Sequence, residues 1–367
     1  MLQPPPAQPG MHEQDIDTPA LVLDLDSFEH NLARMQTLLA PTGAKLRAHA
    51  KTHKSPVIAH RQIAAGAIGQ CVQKVGEAEI LAWGGVPNIL VTNEVVGDGK
   101  LARFAALSRL AEVAICADDA GNVGRLERAA ADAGARLSVL VEIDVGMGRC
   151  GVPPGPEAVA LAQTIAASPH LRFAGLQAYH GRAQHFRTTE ERGNAIGAAV
   201  DDVRRTVEQL RQQGLACDIV GGAGTGTFEL EAGSGLYNEI QAGSYVFMDA
   251  DYARNQGGAS SGFRHALFVL ATVMSAARPG LAVVDAGLKA LSTDSGMPLV
   301  WGYDAARFTG ASDEHGKLEG EVPRYGEKVR LVPGHCDPTV DRYDWYVGVR
   351  GGRVECLWPV AARGAFH

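Results

Sequence analysis

The stretch VAICADDAGNVGRLERAAADAGARLSVLVEI spans residues 113–143 and holds one strand–helix–strand unit. Val113–Ala117 is a short apolar run. Val123, Leu126 and Ala130 recur at helical spacing against a charged face, and Leu137–Ile143 is apolar again. Continuous apolar runs of this length suit strands buried on both faces, with the intervening helix covering one of them. The same alternation extends in both directions. Lys45–Ala50, Ile68–Val72 and Asn88–Thr92 precede it, and Phe173–Ala178, Cys217–Gly221 and Asn238–Gly243 follow, with helical patterns such as Ala198–Gln213 between. Eight strands alternating with helices over roughly 200 residues predict an α/β fold, a (β/α)8 TIM-type barrel. A doubly wound sheet competes, but no GxGxxG follows the first strand.

The flanks read differently. Ala20–Leu25 predicts a strand, followed by a capping box of Asp26 with Glu29 and a helix carrying Phe28, Leu32, Met35 and Leu39. From about Phe263, the strand-like segments Phe268–Met274, Leu281–Asp285, Lys328–Val332 and Asp344–Arg350 are joined by Gly, Pro and Asp turns without long helices. The expected organisation is a flexible N-terminal arm (1–16), a strand joining the β domain (17–26), a barrel (27–255) and a β-rich C-terminal domain (256–367).

The chain has 367 residues, a net charge of −7 and no long basic block, which argues against nucleic-acid partners. Its best apolar run, Ala266 to Ala277, is broken by Thr272 and Ser275 and falls short of the roughly 18 residues of a membrane span. Met1–Gln14 is Pro-rich and lacks the order of a signal peptide. Six scattered cysteines without a CxxC pair suit reduced thiols in a cytoplasmic protein. The 44 glycines are in excess of ordinary usage and collect after barrel strands (146–151, 221–226, 243) and in turns of the second domain.

Functional residues of such a barrel sit at the C-terminal strand ends. There the first barrel strand presents His49-Ala50-Lys51. A lysine partly desolvated among helix N-termini can serve Schiff-base chemistry, although a surface lysine is the commoner outcome and Lys54, Lys74 and Lys289 are competitors. Gly221 to Thr227 (GGAGTGT) after the seventh strand and Gly243-Ser244-Tyr245 after the eighth occupy the recurrent phosphate position. Arg149 could hold an anion or a ring nitrogen, or cap a helix. His180 and His185 follow the sixth strand. In Pro333-Gly334-His335-Cys336-Asp337-Pro338, an extended backbone would place His335 and Asp337 on one side, an N/O pair suited to Mn²⁺ or Mg²⁺. A hydrogen-bonded turn is the alternative, and Cys336 reads as structural.

These residues lie within a series of longer motifs: RAHAKTHKSP (47–56), CVQKVGEAE (71–79), NEVVG (93–97), EIDVGMGRCGV (142–152), GLQAYHG (175–181), GGAGTGT (221–227), QAGSYVFMDADY (241–252), VDAGLKA (284–290), SDEHG (312–316) and GHCDP (334–338). In that order, from about Asp17 to Gly364, the chain resembles the D-threonine aldolases, pyridoxal 5'-phosphate enzymes of the alanine-racemase-like fold (fold type III), and the related β-hydroxyaspartate aldolases. The resemblance implies Lys51, rather than Lys54, as the Schiff-base lysine and Arg149 near the pyridine nitrogen. It places Gln73, Tyr179, Gly224, Thr225, Gly226, Gly243, Ser244 and Tyr245 around the cofactor. It makes His335 and Asp337 ligands of a divalent cation (Mn²⁺ or Mg²⁺), His185 a candidate base, and His180 and Asp313 residues on the substrate and metal side.

The implied reaction is reversible cleavage of a β-hydroxy-D-α-amino acid to glycine and an aldehyde. A β-hydroxyaspartate substrate is the alternative, with Arg182 or Arg187 as counter-charge. Related D-serine and hydroxyaspartate dehydratases carry His-x-Cys with zinc, and His335-x-Asp337 departs from that pattern. A non-catalytic pyridoxal-phosphate-binding barrel is disfavoured by the C-terminal domain. The resemblance also implies a homodimer.

Overall fold

The computed structural model describes residues 4–258 and 262–367. After β1 (Ala20–Asp24) and α1 (Leu25–Leu39), the chain enters a closed barrel of eight parallel strands. These are β2 (Lys45–His49), β3 (Gly69–Val72), β4 (Asn88–Glu94), β5 (Glu112–Ala117), β6 (Leu137–Glu142), β7 (Leu171–Gln177), β8 (Ile219–Gly222) and β9 (Glu239–Ile240). Each connection carries a helix: α2 (Pro56–Ala64), α3 (Val75–Trp83), α4 (Asp98–Ala106), α5 (Ala120–Ala133), α6 (Pro156–Ala166), α7 (Thr189–Gln212) and α8 (Phe228–Gly233). The alternating buried runs predicted such a barrel, and it forms.

Two features hold the barrel interior. Cys71, Leu90, Cys116, Leu140 and Ala174, from five successive strands, pack as one buried cluster, so three of these five side chains are uncharged aliphatics and two are thiols. All six cysteines are free. At the seam, β9 is only two residues long and pairs Lys45 with Glu239. There Arg47 donates twice to Glu239, Nε to Oε1 at 2.8 Å and Nη2 to Oε2 at 3.0 Å, both side chains being buried. This bidentate pair ties the first barrel strand to the last.

The second domain comprises β10 (Leu267–Arg278), β11 (Leu281–Val284), β12 (Leu299–Val300), β13 (Ala306–Ala311), β14 (Gly316–Gly320), β15 (Lys328–Val332), the short helix α9 (Cys336–Val340), β16 (Trp345–Arg350) and β17 (Arg353–Pro359). Its sheet runs β13-β14-β11-β10-β1-β16-β17, and β15 pairs with β10 and β12. The N-terminal strand β1 lies inside it, antiparallel to β10 (Leu21 opposite Val269) and parallel to β16 (Leu21 opposite Tyr346). Four of the five β1 residues are buried, as a strand covered on both faces requires.

Two expectations fail here. Residues 1–3 of the arm lie outside the described residues, but 4–16, expected to be flexible, are packed. Ala7 and Ile16 are buried in a cluster with Val347 and Val354, the Gly10 N–H donates to Val354 O at 2.8 Å, and Arg330 donates to both Glu13 oxygens at 2.6 and 2.7 Å. Isolated apolar and acidic residues among the prolines provide these anchors. The capping box also differs. The N-cap of α1 is Asp24, which accepts from Ser27 N at 2.9 Å, while Asp26 and Glu29 pair with Arg350 of β16. Interdomain pairing thus claims the two acids that a local reading assigns to the helix.

Candidate active site

The C-terminal ends of the barrel strands surround a cavity of about 500 Å³, a size suited to a small molecule. Its wall takes His49 and Lys51 from the end of β2, Gln73 from after β3, Thr92 from β4 and Arg149 from the loop after β6. Tyr179 follows β7, a 3₁₀ turn (Arg182–His185) adds Arg182 and His185, and the loops after β8 and β9 add Gly224, Thr225, Gly243 and Ser244.

Lys51 reaches across to the second domain, its Nζ forming an ion pair with Asp337 Oδ2. Burial, the largest single influence, would lower the lysine's pKa, but the Asp337 charge, Tyr179 and the hydrogen bond to Asp337 together outweigh it and raise the ammonium above its ordinary value. Burial would likewise raise Asp337, yet the Lys51 and His335 charges hold it well below the usual carboxylate range. Asp337 Oδ1 is buried with no hydrogen-bond partner. Lys54, the competitor, is buried and engaged elsewhere: its Nζ lies 2.9 Å from Glu77 and 3.2 Å from Asp341 and sits over the Phe366 ring. Lys51 alone of the two lines the cavity.

The segment expected to be extended at His335–Asp337 is a strand end followed by a helix start. β15 leads through Pro333-Gly334 to His335, the N-cap of α9, and Asp337 lies in the first helical turn. Proximity therefore comes from the turn into α9 rather than from strand alternation. The segment is held at the barrel mouth by Ala250 N–H donating to Pro333 O (2.9 Å) and Asp251 N–H to Gly334 O (3.2 Å). His335 Nδ1 donates to Asp294 at 2.8 Å, which leaves Nε2 free. Cys336 is buried against Met248 O and takes no part. Among the described residues, no third His, Cys, Asp or Glu completes a close three-ligand group with His335 and Asp337; the one such group is Glu94, Asp118 and Cys150. Two protein ligands, one with an orphaned buried oxygen, still suit a hard cation that keeps water or substrate in its other positions.

His185 is fixed from behind. Its Nδ1 donates to Asp251 Oδ2 at 2.5 Å, and Asp251 also receives Arg187 Nη2 at 2.6 Å and a bond from Arg254. Burial opposes ionisation of Asp251, but these bonds, that of His185 first, hold it well below the carboxylate range. The arrangement leaves His185 Nε2 as the nitrogen free to exchange a proton. Tyr252 stacks on the imidazole at 5.9 Å.

Residues around the expected phosphate position fit an anion. Thr225 is 1% exposed, lines the cavity, and its hydroxyl has no protein partner. A Cβ on Gly243 would lie 2.5 Å from Thr52 Oγ1 and 2.8 Å from the His49 carbonyl oxygen, so glycine is required there, and one on Gly224 would displace the Gln184 side chain, 2.5 Å away. Orphaned hydroxyl and bare backbone together make the cradle a phosphate group would fill.

Four expected residues are placed elsewhere. Gly226 points its N–H at Gln184 Oε1 (3.0 Å), outside the cavity wall. Tyr245 is buried in the core, where its hydroxyl accepts from Gln62 Nε2 at 3.1 Å. His180 packs beneath the loop after β6, close to Gly146, and receives the Ala183 N–H at 3.4 Å. Asp313 is exposed at the turn between β13 and β14, where its carbonyl accepts from Lys289 N; one chain does not bring it to the cavity. Conversely, His49, quoted with Lys51 at the strand end but given no role there, joins the site. It is buried, kept neutral chiefly by burial and then by the Lys51 charge, and approached by Gln73 Nε2 (2.9 Å) and Thr92 Oγ1 (3.2 Å). The i, i+2 spacing of His49 and Lys51 on one strand end was the available signal.

Residues 23–251 match the family described as alanine racemase, N-terminal domain, and residues 266–349 match a putative serine dehydratase domain. The 3-hydroxy-D-aspartate aldolase of Paracoccus denitrificans (strain Pd 1222) is 48% identical, over 98% of this chain and 95% of its own. A D-threonine aldolase of Arthrobacter sp. is 47% identical, over 98% and 96%. The crystal structure of D-threonine aldolase from Filomicrobium marinum superimposes with a TM-score of 0.97 at 49% identity, covering 99% of this chain and all of that one. The chain belongs to the family of D-threonine and 3-hydroxy-D-aspartate aldolases, carbon–carbon lyases built on the alanine-racemase-like fold.

Proposed function

We propose that the protein is a pyridoxal-phosphate- and divalent-metal-dependent aldolase that reversibly cleaves β-hydroxy-D-α-amino acids to glycine and an aldehyde. The observation that carries this reading is the Lys51–Asp337 ion pair, which joins the strand-end lysine of the barrel to the His335-x-Asp337 segment of the second domain at one cavity. When bound, the cofactor supplies an electron sink for charge developing on Cα. Lys51 would hold it covalently, Thr225 and the Gly224 and Gly243 backbone its phosphate, and Arg149 its ring nitrogen. His335 and Asp337 would hold a cation (Mn²⁺ or Mg²⁺) that lowers the pKa of a coordinated hydroxyl.

The chain's own groups then divide the proton work. His185 Nε2 takes the β-hydroxyl proton, and Asp251 stabilises the imidazolium that results. Lys51, released from Asp337, is placed to return a proton to Cα. A carboxylate at position 337 in place of a cysteine favours a hard cation over zinc, and with it Cα–Cβ cleavage over loss of the hydroxyl, despite the dehydratase-like second domain. We assign the protein to the cytoplasm on its six free cysteines, and to a homodimer on the position of Asp313.

The test is synthesis from glycine and a panel of aldehydes, including acetaldehyde and glyoxylate, with and without Mn²⁺, followed by chiral analysis. Metal-dependent formation of D-configured β-hydroxy amino acids is expected. 2-Oxobutyrate from D-threonine or oxaloacetate from 3-hydroxy-D-aspartate, each with ammonia and no aldehyde, would overturn the reading in favour of dehydration.

A further inference from the structure

Beside Arg149, and not among the residues that line the cavity, lies a group of acids that the reaction above does not use. Glu142 ends β6, Glu94 ends β4, Asp118 follows β5, and Cys150 follows Arg149 in the loop that leaves β6. Glu142 is 4% exposed, and its Oε1 lies 3.7 Å from Arg149 Nη2. Its carboxyl is within hydrogen-bonding reach of Glu94. No N–H or O–H donor reaches Glu142 Oε2 or either oxygen of Glu94, and the one donor within reach of Glu94 is the weak Cys150 thiol. Asp118 differs, since it accepts the Gly151 N–H at 3.0 Å.

If all three acids were ionised, one guanidinium would face three buried or half-buried negative charges. Two ionised carboxylates at hydrogen-bonding distance, with only a weak thiol donor beside one of them, are not a stable buried arrangement. A single shared proton supplies the missing donor. We propose that Glu142 and Glu94 share one proton and act as a positioning pair for Arg149, anchoring its guanidinium without cancelling the charge it presents to the cavity. This rests on the reading of Arg149 as the partner of the cofactor ring.

The electrostatics agree. Burial, and after it the Glu94 charge, push the Glu142 carboxyl up to about 9, against a smaller downward pull from Arg149. Cys150 is pushed up to about 11 by burial and then by Glu94, so it stays a neutral thiol at physiological pH. The groups facing Glu142 are therefore Glu94 from β4, Asp118 from the end of β5, and Arg149 and Cys150 from its own loop. Below pH 9 the pair carries one negative charge. Above it the second proton-free carboxylate pulls Arg149 toward the pair and weakens its hold on the ring.

Binding of pyridoxal phosphate to the apoprotein, followed by tryptophan fluorescence and by the absorbance of the bound cofactor from pH 7 to 10, tests this. In the wild type, Kd is expected to rise about tenfold between pH 8 and 10. Glu142→Gln, which keeps a neutral donor, is expected to bind within about threefold of wild type at pH 7.5 and to lose most of that rise. Glu142→Ala should bind tenfold or more weakly at both ends. Superimposed wild-type and Glu142→Gln profiles would overturn the shared proton while leaving the aldolase reading intact. Wild-type affinity and absorbance in Arg149→Ala would instead overturn the Arg149 assignment beneath it. A zinc ion retained by Asp337→Ala and lost on adding Cys150→Ser would place a cation where we place the proton, and overturn the pair.

Discussion

Two lysines three residues apart behave differently because only one of them is left to the cavity. Lys54 is spent on Glu77, Asp341 and Phe366, whereas the ion pair of Lys51 is with a residue that the proposed metal would claim. Borohydride reduction of the holoenzyme followed by peptide mapping is expected to find the cofactor on Lys51, and Lys51→Ala to abolish both labelling and turnover; label on Lys54 would refute the assignment. The same reasoning separates two arginines that the sequence left equivalent. Arg187 is bound to Asp251 and Asn255 and serves the support of His185. Arg182 lines the cavity and, among the described residues, has no ion-pair partner, so it is the cation available to a carboxylate on Cβ. A charge-assisted hydrogen bond is worth roughly 1.5–3 kcal/mol, or roughly 10–100-fold. Arg182→Ala is therefore expected to lower kcat/KM for glyoxylate by that factor while sparing acetaldehyde. Arg187→Ala should depress both aldehydes alike, and an equal effect of Arg182→Ala on both would remove the carboxylate from its role. Strand ends drew attention to Lys51, Arg149 and Thr225, which line the cavity, while the choice of Lys51 over Lys54 and the roles of all three came with the family resemblance. Which neighbour occupies each side chain was not legible in the sequence, because Asp251, Asp294 and Glu77 reach their partners through tertiary contacts.

At the scale of elements, the barrel was legible because its middle strands, β4 to β7, hold short apolar runs and are joined by helices, and the alternation continues through less apolar strands such as β2 (KLRAH). The short strands of the second domain were less so. β12 has two residues, and β13 and β14 alternate buried with exposed positions and carry a bulge at Phe308–Gly310, which weakens their periodicity. The extended reading of His335–Asp337 failed because a six-residue motif cannot show that a helix begins inside it. The barrel itself was predicted, but the side-chain bridge that holds its seam was hidden for a related reason. β9 offers two residues of pairing, so the Arg47–Glu239 bridge carries a share of the seam that apolar pattern cannot reveal. Removing one partner of a buried ion pair leaves an uncompensated charge and costs about 3–5 kcal/mol, whereas replacing both with apolar residues is close to neutral. Glu239→Leu is therefore expected to lower the urea midpoint strongly, and Arg47→Met added to it to restore most of the loss. Additive destabilisation by the two changes would show that the pair does not act as a unit.

At the scale of the molecule, the two domains meet at several places, such as Arg350 with Asp26 and Glu29 and Tyr346 with His53, but one segment carries the second domain's share of the site. β15 and the turn into α9 bring His335 and Asp337 to the barrel mouth through backbone bonds to Ala250 and Asp251, the second of which also fixes His185. That coupling completes the lysine and metal side of the cavity within one chain but leaves Asp313 exposed at the far end of the sheet. On the homodimer reading, Asp313 serves the cavity of the second subunit. Met297, Leu299 and Trp301, nearly half exposed in one chain, give the same domain apolar surface to cover. Complementation between two inactive variants separates this from a role within one chain. Lys51→Ala lacks the lysine in its own cavity, and Asp313→Ala lacks the carboxylate it would lend to the other. In a mixed dimer, the cavity of the Asp313→Ala subunit keeps its own Lys51 and borrows Asp313 from its neighbour, so one intact site per mixed dimer is restored. Unfolding and refolding the two variants together should yield about half mixed dimers by random pairing, and hence about a quarter of wild-type activity. If Asp313 acted within its own chain, neither cavity of the mixed dimer would be whole and the mixture would stay inactive. A fully active Asp313→Ala homodimer would remove the residue from the site altogether.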